Sequence, residues 1–336
     1  MKRQGNLKDK ITELDNVALA AHKAFRGKRG KNEVREFARN FNENIARLRC
    51  EIENGSIVIG DYHYFKIFDP KERVICAASL KERILHHSIM NVCHSRFDKA
   101  LISGTYATRP GKGVYAALDE AKNSMKGFAY YAKLDVRKYY DNVDHAVLKS
   151  IICRLFKDKW LIDLFDRIID SYSVVPGKGI PIGNLTSQYF ANIYLSGLDH
   201  YMKEVCKTPV YIRYMDDVML FCNDKEALKY MVDEFISYSS KELKLCIKQP
   251  QIGKCCTGCS FLGYKVMPGY LLLNGNSKRR FRRKLYECTK MYNCGELDDR
   301  EYEMRLIPLL AFTLHASSKC YRKACVEIIN GCRVVS

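Results

Sequence analysis

The sequence opens MKRQGNLKDK with no apolar segment behind these charges, so a secretory signal is not expected. No stretch reaches about eighteen consecutive apolar residues, so no membrane span is expected and the chain reads as cytoplasmic. Internal repeats and low-complexity tracts are also missing. Acidic residues are scarce beside basic ones: 38 Asp and Glu against 56 Lys and Arg in 336 residues, a net charge of +18. Solubility alone is served by a much smaller excess. The charge therefore points to a polyanionic partner, most simply nucleic acid. The chain has fifteen cysteines, yet C-C-x-x-C at Cys255, Cys256 and Cys259 has no second pair at a zinc-site spacing. Cys246 or Cys288 could join it only through the fold, and burial as small hydrophobes is the favoured reading. His86, His87 and His94 lack an acidic partner at metal-ligand spacing and read as core or surface histidines. The loop YATRPGKGVYAALDEA (105–121 with its leading Thr105) lacks Walker spacing, although its glycines and cations could still meet phosphate.

What is present is a mixture of helices and strands. Apolar positions three and four apart predict helix over residues 7–53, interrupted by the basic loop FRGKRGK (25–31), which reads equally as a phosphate contact or a solvated linker. Alternation with a turn at Asp69-Pro70 predicts a hairpin over 62–78, followed by a helix over 80–101. Residues 128–145 begin as a strand and turn helical near Asn142 or Asp144. Helices are then expected at 146–171 and 189–205, with the loop 174–188 between them. A hairpin over 210–221, an amphipathic helix over 224–243, a strand over 243–252 and a second hairpin over 259–274 follow, and the tail from Ser277 is helical and basic. Strands joined both by hairpins and by helices indicate an α+β fold, an antiparallel sheet backed by helices on one face.

The first hairpin, VYIRYMDDVMLF, places Met215, Asp216 and Asp217 at its tip with no glycine, where Asn-Gly or Asp-Gly would be usual. In KLDVRKYYD, Leu134 and Val136 share one strand face and Asp135 takes the other. If the two strands are neighbours, three carboxylates converge, and they stay ionised only with compensating cations. Oxygen ligands around a hard divalent ion suit Mg²⁺, and two such ions about 4 Å apart serve phosphoryl transfer.

Tyr214-Met215-Asp216-Asp217 between apolar strands resembles the YxDD box of reverse transcriptases, and an ordered set of further motifs extends the resemblance over residues 60–275. It implies a right-hand polymerase fold with fingers, palm and a short helical thumb. The corresponding segments are 1–131 (N-terminal helices and fingers), 132–265 (palm, with 146–182 partly fingers) and 266–336 (thumb). It further implies two Mg²⁺ ions held by Asp135, Asp216 and Asp217 with the carbonyl of Val136, dNTP substrates, and a template RNA and RNA/cDNA duplex as partners. Arg73 in KERVI and Arg109 in YATRPGKG would hold the triphosphate, and Tyr140 would be the steric gate against a ribose 2′-OH. Ile182, Gly183 and Gln188 in GIPIGNLTSQYFANIYL would lie under the nucleotide, with Lys248 as general acid. Tyr214 and Met215 would face the primer with the FLGY grip, Phe261, Leu262, Gly263 and Tyr264. Arg279, Arg280, Arg282 and Arg283 would grip the duplex.

Many intron-related reverse transcriptases have Pro-Gln-Gly where this chain has Pro181-Ile182-Gly183. The IGNLTSQ variant and the ending LHASSKCYRKA are similar to reverse transcriptases of diversity-generating retroelements, which are bacterial or phage-encoded. That resemblance implies adenine-directed errors in the cDNA and a small basic helical accessory protein, in one or several copies, as partner. Retron, defence-associated and group II intron-type enzymes are the alternatives, an intron maturase being expected to carry a longer C-terminal region. A catalytically silent RNA-binding scaffold is the alternative of another class.

Overall fold

The computed structural model describes residues 3–68 and 72–331. Its strands form three separate antiparallel sheets: a hairpin, the four-stranded sheet expected beside helices, and a three-stranded meander. The chain divides into two compact units, each assembled from discontinuous segments. Among the described residues, no helix is long and apolar enough to cross a membrane.

The first unit comprises Met1–Arg109, Val136–Cys206 and Asp233–Lys248. Its N-terminal helical region is four short helices, Lys8–Thr12, Leu14–Phe25, Asn32–Arg39 and Phe41–Glu53. Strands β1 (Tyr62–Phe68) and β2 (Glu72–Ala78) pair as expected, while the Asp69-Pro70 turn lies outside the described residues. Ser79 then caps the helix Leu80–Asp98 by accepting the Glu82 N–H. The helix expected over 146–171 is two helices, His145–Leu155 and Lys159–Asp170. Asp158 divides them, because one carboxylate oxygen caps the second helix at Leu161 while the other accepts the Leu7 N–H at 2.8 Å. The helix expected from Tyr189 starts earlier, at Leu185, and its continuation ends in a π-helical turn at Tyr201–Val205.

Glu82 and His86 face each other one helical turn apart, both fully buried, with 3.5 Å between Oε1 and Nε2. The sequence left His86 as a core or surface residue and gave no sign of this partner; the structure places it in the core. Burial holds the imidazole well below its ordinary 6.5, at about 3, and raises the Glu82 carboxyl from 4.5 to about 7. Both groups are therefore neutral in the folded chain at mildly acid pH. The signs oppose one another. The His86 contribution is present above pH 6.5 and lost as pH falls toward 3, whereas that of Glu82 is present below pH 4.5 and lost as pH rises through 7. Between 4.5 and 6.5 the proton given up by His86 on folding is matched by one retained on Glu82, leaving a net acid limb below pH 4.5. His86→Leu should flatten that limb in thermal melts taken from pH 3 to 6; an unchanged acid limb would refute the assignment.

The second unit comprises Pro110–Asp135, Lys207–Val232 and Gln249–Ser336. Its main sheet has the order β4 (Val210–Tyr214), β5 (Asp217–Cys222), β3 (Tyr130–Asp135), β6 (Gln251–Lys254). The strand expected over 243–252 is confined to its last two residues, since Lys244 has a φ of +52° and Pro250 has no N–H to give a ladder. The second hairpin gains a strand, becoming the meander β7 (Cys259–Phe261), β8 (Tyr264–Met267), β9 (Tyr270–Leu273). Pro268-Gly269 makes its second turn, with glycine at φ +84° where a type II turn requires it. Cys255 and Cys259 are buried and Cys256 exposed; burial raises the Cys255 thiol to about 11 and the Cys259 thiol to about 12.

Candidate active site

Strand β3 runs antiparallel to β5, and the register sets Asp135 directly opposite Asp217. Directly opposed residues share a sheet face, with Cβ atoms about 5 Å apart. Leu134 is fully buried on the other face, as the alternation required. Two like charges so placed oppose strand pairing, and Lys133 offsets them. Two residues before Asp135 and so on the same face, it brings Nζ to 3.6 Å from Asp217 Oδ1 while donating to the Ser260 carbonyl at 2.9 Å.

Tyr214 pairs with Asp217, so the hairpin turn is the two residues Met215 and Asp216. Met215 has φ +54° and Asp216 is absent from the left-handed region, a pattern that matches a II′ rather than a I′ turn. Glycine usually fills that first position, and a methionine there stores about 1–3 kcal/mol of strain. The brace is Arg213, fully buried in β4, whose Nη1 donates to the Met215 carbonyl at 3.1 Å. Sequence reasoning overlooked both Lys133 and Arg213. Their signal was a cation inside an otherwise apolar strand next to each acidic element.

The first unit carries the residues expected at the nucleotide, together with Lys248. The Tyr140 carbonyl accepts the Ile180 N–H at 2.9 Å, which ties Tyr140 to the start of the 180–188 loop. The Ile182 carbonyl accepts the Cys76 N–H from β2 at 2.8 Å. Gly183 has φ +122°, and a Cβ there would lie 2.8 Å from Ile75 Cγ2 and 3.2 Å from the Cys76 carbonyl. Gly183→Ala should therefore cost about 1–3 kcal/mol in urea unfolding and loosen the loop from β2; a variant as stable as the parent would contradict this packing. Gln188 is exposed on the helix Leu185–Tyr194, and Arg73 is exposed on β2 opposite Ile67. Lys248 follows Ile247, which bridges Val136. Arg109 is engaged by its own loop: Nε binds Asp98 at 2.6 Å and Nη1 the carbonyls of Ile102 and Thr105.

The sequence profile of the reverse transcriptase (RNA-dependent DNA polymerase) family matches residues 69–266, more than half of the chain. This chain belongs to the reverse transcriptase family. Its helices and antiparallel sheets are accordingly a right-hand polymerase fold. The chain is similar to a COX1/OXI3 intron 2 protein of Saccharomyces cerevisiae, 24% identical over 138 residues, 39% of this chain and 16% of that protein. It is also similar to the group II intron-encoded protein LtrA of Lactococcus lactis subsp. cremoris, 21% identical over 141 residues, 40% of this chain and 24% of that protein. The chain thus aligns with less than a quarter of the length of either relative. Among solved structures, telomerase from Candida tropicalis in complex with a TWJ fragment of telomeric RNA has a TM-score of 0.49 at 13% identity, covering 85% of this chain and 59% of that one.

In this reverse transcriptase the FLGY turn is Leu262-Gly263, both at positive φ (+46° and +88°) as a I′ turn demands. Phe261 and Tyr264 are buried, and Tyr264 donates its hydroxyl to the Phe312 carbonyl at 2.6 Å. Only the turn itself is open to a partner. On the helix Gly275–Asn293, Phe281 and Leu285 face the core while Arg279, Arg282 and Arg283 are exposed; Arg280 lies over the Phe312 ring at 5.5 Å. By donor type, the opposed Asp135 and Asp217 carboxylates suit a hard divalent cation. Among the described residues, however, no three His, Cys, Asp or Glu groups stand close enough together to hold one ion.

Proposed function

We propose that this chain is an RNA-directed DNA polymerase that copies a template RNA into cDNA from dNTPs, with the error-prone habit of diversity-generating retroelement enzymes. The observation that carries the polymerase reading is the direct opposition of Asp135 and Asp217 beside a strained turn bearing Asp216, all inside the family-matched segment. By the family resemblance Asp135, Asp216 and Asp217, with the Val136 carbonyl, would supply the oxygen ligands for two Mg²⁺ ions, whose binding would draw the three carboxylates closer together than they stand here. Bound metal would supply an activated attacking hydroxyl and charge stabilisation at the leaving oxygen.

The protein's own groups do the remaining work. Lys133 and Arg213 keep the acidic face and its turn in place. Arg73 neutralises the triphosphate, with Arg109 holding the preceding loop in shape through Asp98. Tyr140 stands against a ribose 2′-OH, and Lys248 returns a proton to pyrophosphate. The exposed Arg279, Arg282 and Arg283, with Arg280, grip the backbone of the RNA/cDNA duplex, so binding should weaken steeply with salt. A small basic helical accessory protein completes the assembly.

The low-fidelity reading rests on Ile182. The loop is tied to β2 through the residue's carbonyl, not its side chain. A side-chain amide that could read nucleotide geometry is therefore missing without any loss of the loop's anchor, and loss of a polar contact weakens discrimination. Primer extension on an RNA template with Mg²⁺ and dNTPs, followed by cDNA sequencing, tests this, with the native RNA and accessory protein supplied. Errors concentrated opposite adenine are expected, and Ile182→Gln should reduce them about tenfold. Faithful cDNA from the parent enzyme would favour a group II intron-type reverse transcriptase, the reading to which similarity with LtrA lends support. No cDNA under any of these conditions would leave a binding scaffold.

A further inference from the structure

The basic loop over 25–31 plays no part in the chemistry above. In the first unit it borders a pocket of about 170 Å³ whose lining includes Lys23, Arg26, Lys28, Arg83, His87 and Asn184 and contains no carboxylate. Gly183 is the only residue assigned to the nucleotide that also lines it. Arg83 gives one Nη to Glu33 at 2.8 Å and the other to the Ala78 carbonyl, while its buried Nε has no partner. Arg26 and Lys28 lie in the loop itself, the former exposed and the latter half-buried. Positive charge outweighs negative here: the Lys28 ammonium is pushed down by burial and then by Arg83 and Lys31, with Glu33 opposing the shift. His87 is pushed down by burial and then by Lys23, Lys28, Arg83 and Arg26.

The far wall is the start of the helix Leu185–Tyr194. Asn184 is its N-cap residue, a type that normally accepts an N–H of the first turn, yet it makes no side-chain capping bond. It is only 3% exposed, and its Nδ2 has no hydrogen-bond partner. No acidic residue occupies the helix's first turn. Unsatisfied N–H groups, a helix N-terminus and several cations around one cavity are the elements of an oxyanion site. A buried amide donor left without an acceptor is otherwise a net loss.

We propose that this pocket is a phosphate-binding site, built from none of the three aspartates, that takes one phosphate group through Arg26, Lys28, Arg83 Nε, Asn184 Nδ2 and the N-terminus of the helix Leu185–Tyr194. A backbone phosphate of an RNA strand and a free phosphate both offer that chemistry. The site does not depend on the polymerase reading, and its test measures binding rather than synthesis.

The His87 ring resonances would be followed by NMR at fixed pH while inorganic phosphate is added to the whole chain. Binding of a single-stranded oligoribonucleotide lacking a terminal phosphate would be measured in parallel across salt concentrations. The test variant is Arg26→Glu with Lys28→Glu. The control is Lys122→Glu with Lys126→Glu, an equal charge change on the helix Val114–Gly127 of the other unit. The expected result is a saturable His87 shift with phosphate that the test variant abolishes and the control keeps. RNA affinity should also fall about tenfold more in the test variant than in the control, with a salt slope shallower by about 0.7 for the lost phosphate. A His87 shift abolished in the test variant, with RNA affinity equal in both variants, would support the site and assign it to free phosphate. No saturable shift, together with equal RNA losses in both variants, would overturn the proposal.

Discussion

Asp217→Asn should reduce cDNA synthesis by about a thousandfold, some 4 kcal/mol of lost transition-state stabilisation, because a neutral amide cannot supply the anionic oxygen the proposed metal site needs. The same substitution should leave the fold as stable or slightly more so. Asp217 sits directly opposite Asp135, and like charges across a strand pair oppose folding by a few tenths to about 1 kcal/mol. Lys133, at 3.6 Å from Asp217, would lose a partner, which reduces the gain. The pairing of a large activity loss with a neutral or positive stability change is the signature of a residue retained for chemistry. Single-turnover primer extension and urea unfolding on the same preparation would measure both. Near-parental extension would remove Asp217 from the active site, and a large fall in stability would show that the opposed pair serves the fold instead. Asp216→Asn should give the same activity loss with less effect on stability, since Asp216 lies in the turn and outside the ladder.

Arg213→Met should be the most destabilising single change near the site, costing about 3 kcal/mol, and should lower activity without touching an acidic residue. Arg213 is fully buried in β4, and its Nη1 donates to the carbonyl of Met215, the residue held at φ +54°. Methionine matches the stem but supplies no donor, so the Met215 carbonyl loses its charge-assisted bond and the strained turn loses its restraint. Arg213→Lys retains the charge without the planar fork and should fall between the two. Thermal unfolding and extension rates of both variants would decide the matter. If Arg213→Met melts with the parent and copies RNA at the parental rate, the turn does not need this brace.

Much of the site was legible because it is local. Alternation in VYIRYMDDVMLF and in KLDVRKYYD is a period-two signal, and it fixed which face Asp135 takes and that a hairpin turns at Met215 and Asp216, although Asp217, expected in the tip, begins the returning strand. Three-and-four spacing likewise located the helical regions, though not their breaks. Elements went astray where a single residue answers to distant partners. Asp158 ends one helix and caps the next while also accepting a bond from Leu7, and nothing within a short window reveals that second duty. The expected strand over 243–252 shrank for the opposite reason, since the local interruptions at Lys244 and Pro250 outweigh its apolar character.

By itself, then, the sequence determined the chemistry on offer: a basic chain, two acidic elements on strand ends, and an ordered run of motifs typical of a template-copying enzyme. Only the tertiary structure decided which groups meet. The register that sets Asp135 against Asp217 joins strands far apart in the chain, and it is chosen by burial of the face that carries Leu134 and Val218 rather than by either strand alone. The same packing buries Arg213 beneath the turn and brings Lys133 to Asp217, while in the first unit Asn184 is buried with a donor still to satisfy. Periodicity is a property of neighbouring residues, whereas burial and charge balance are properties of the assembled core.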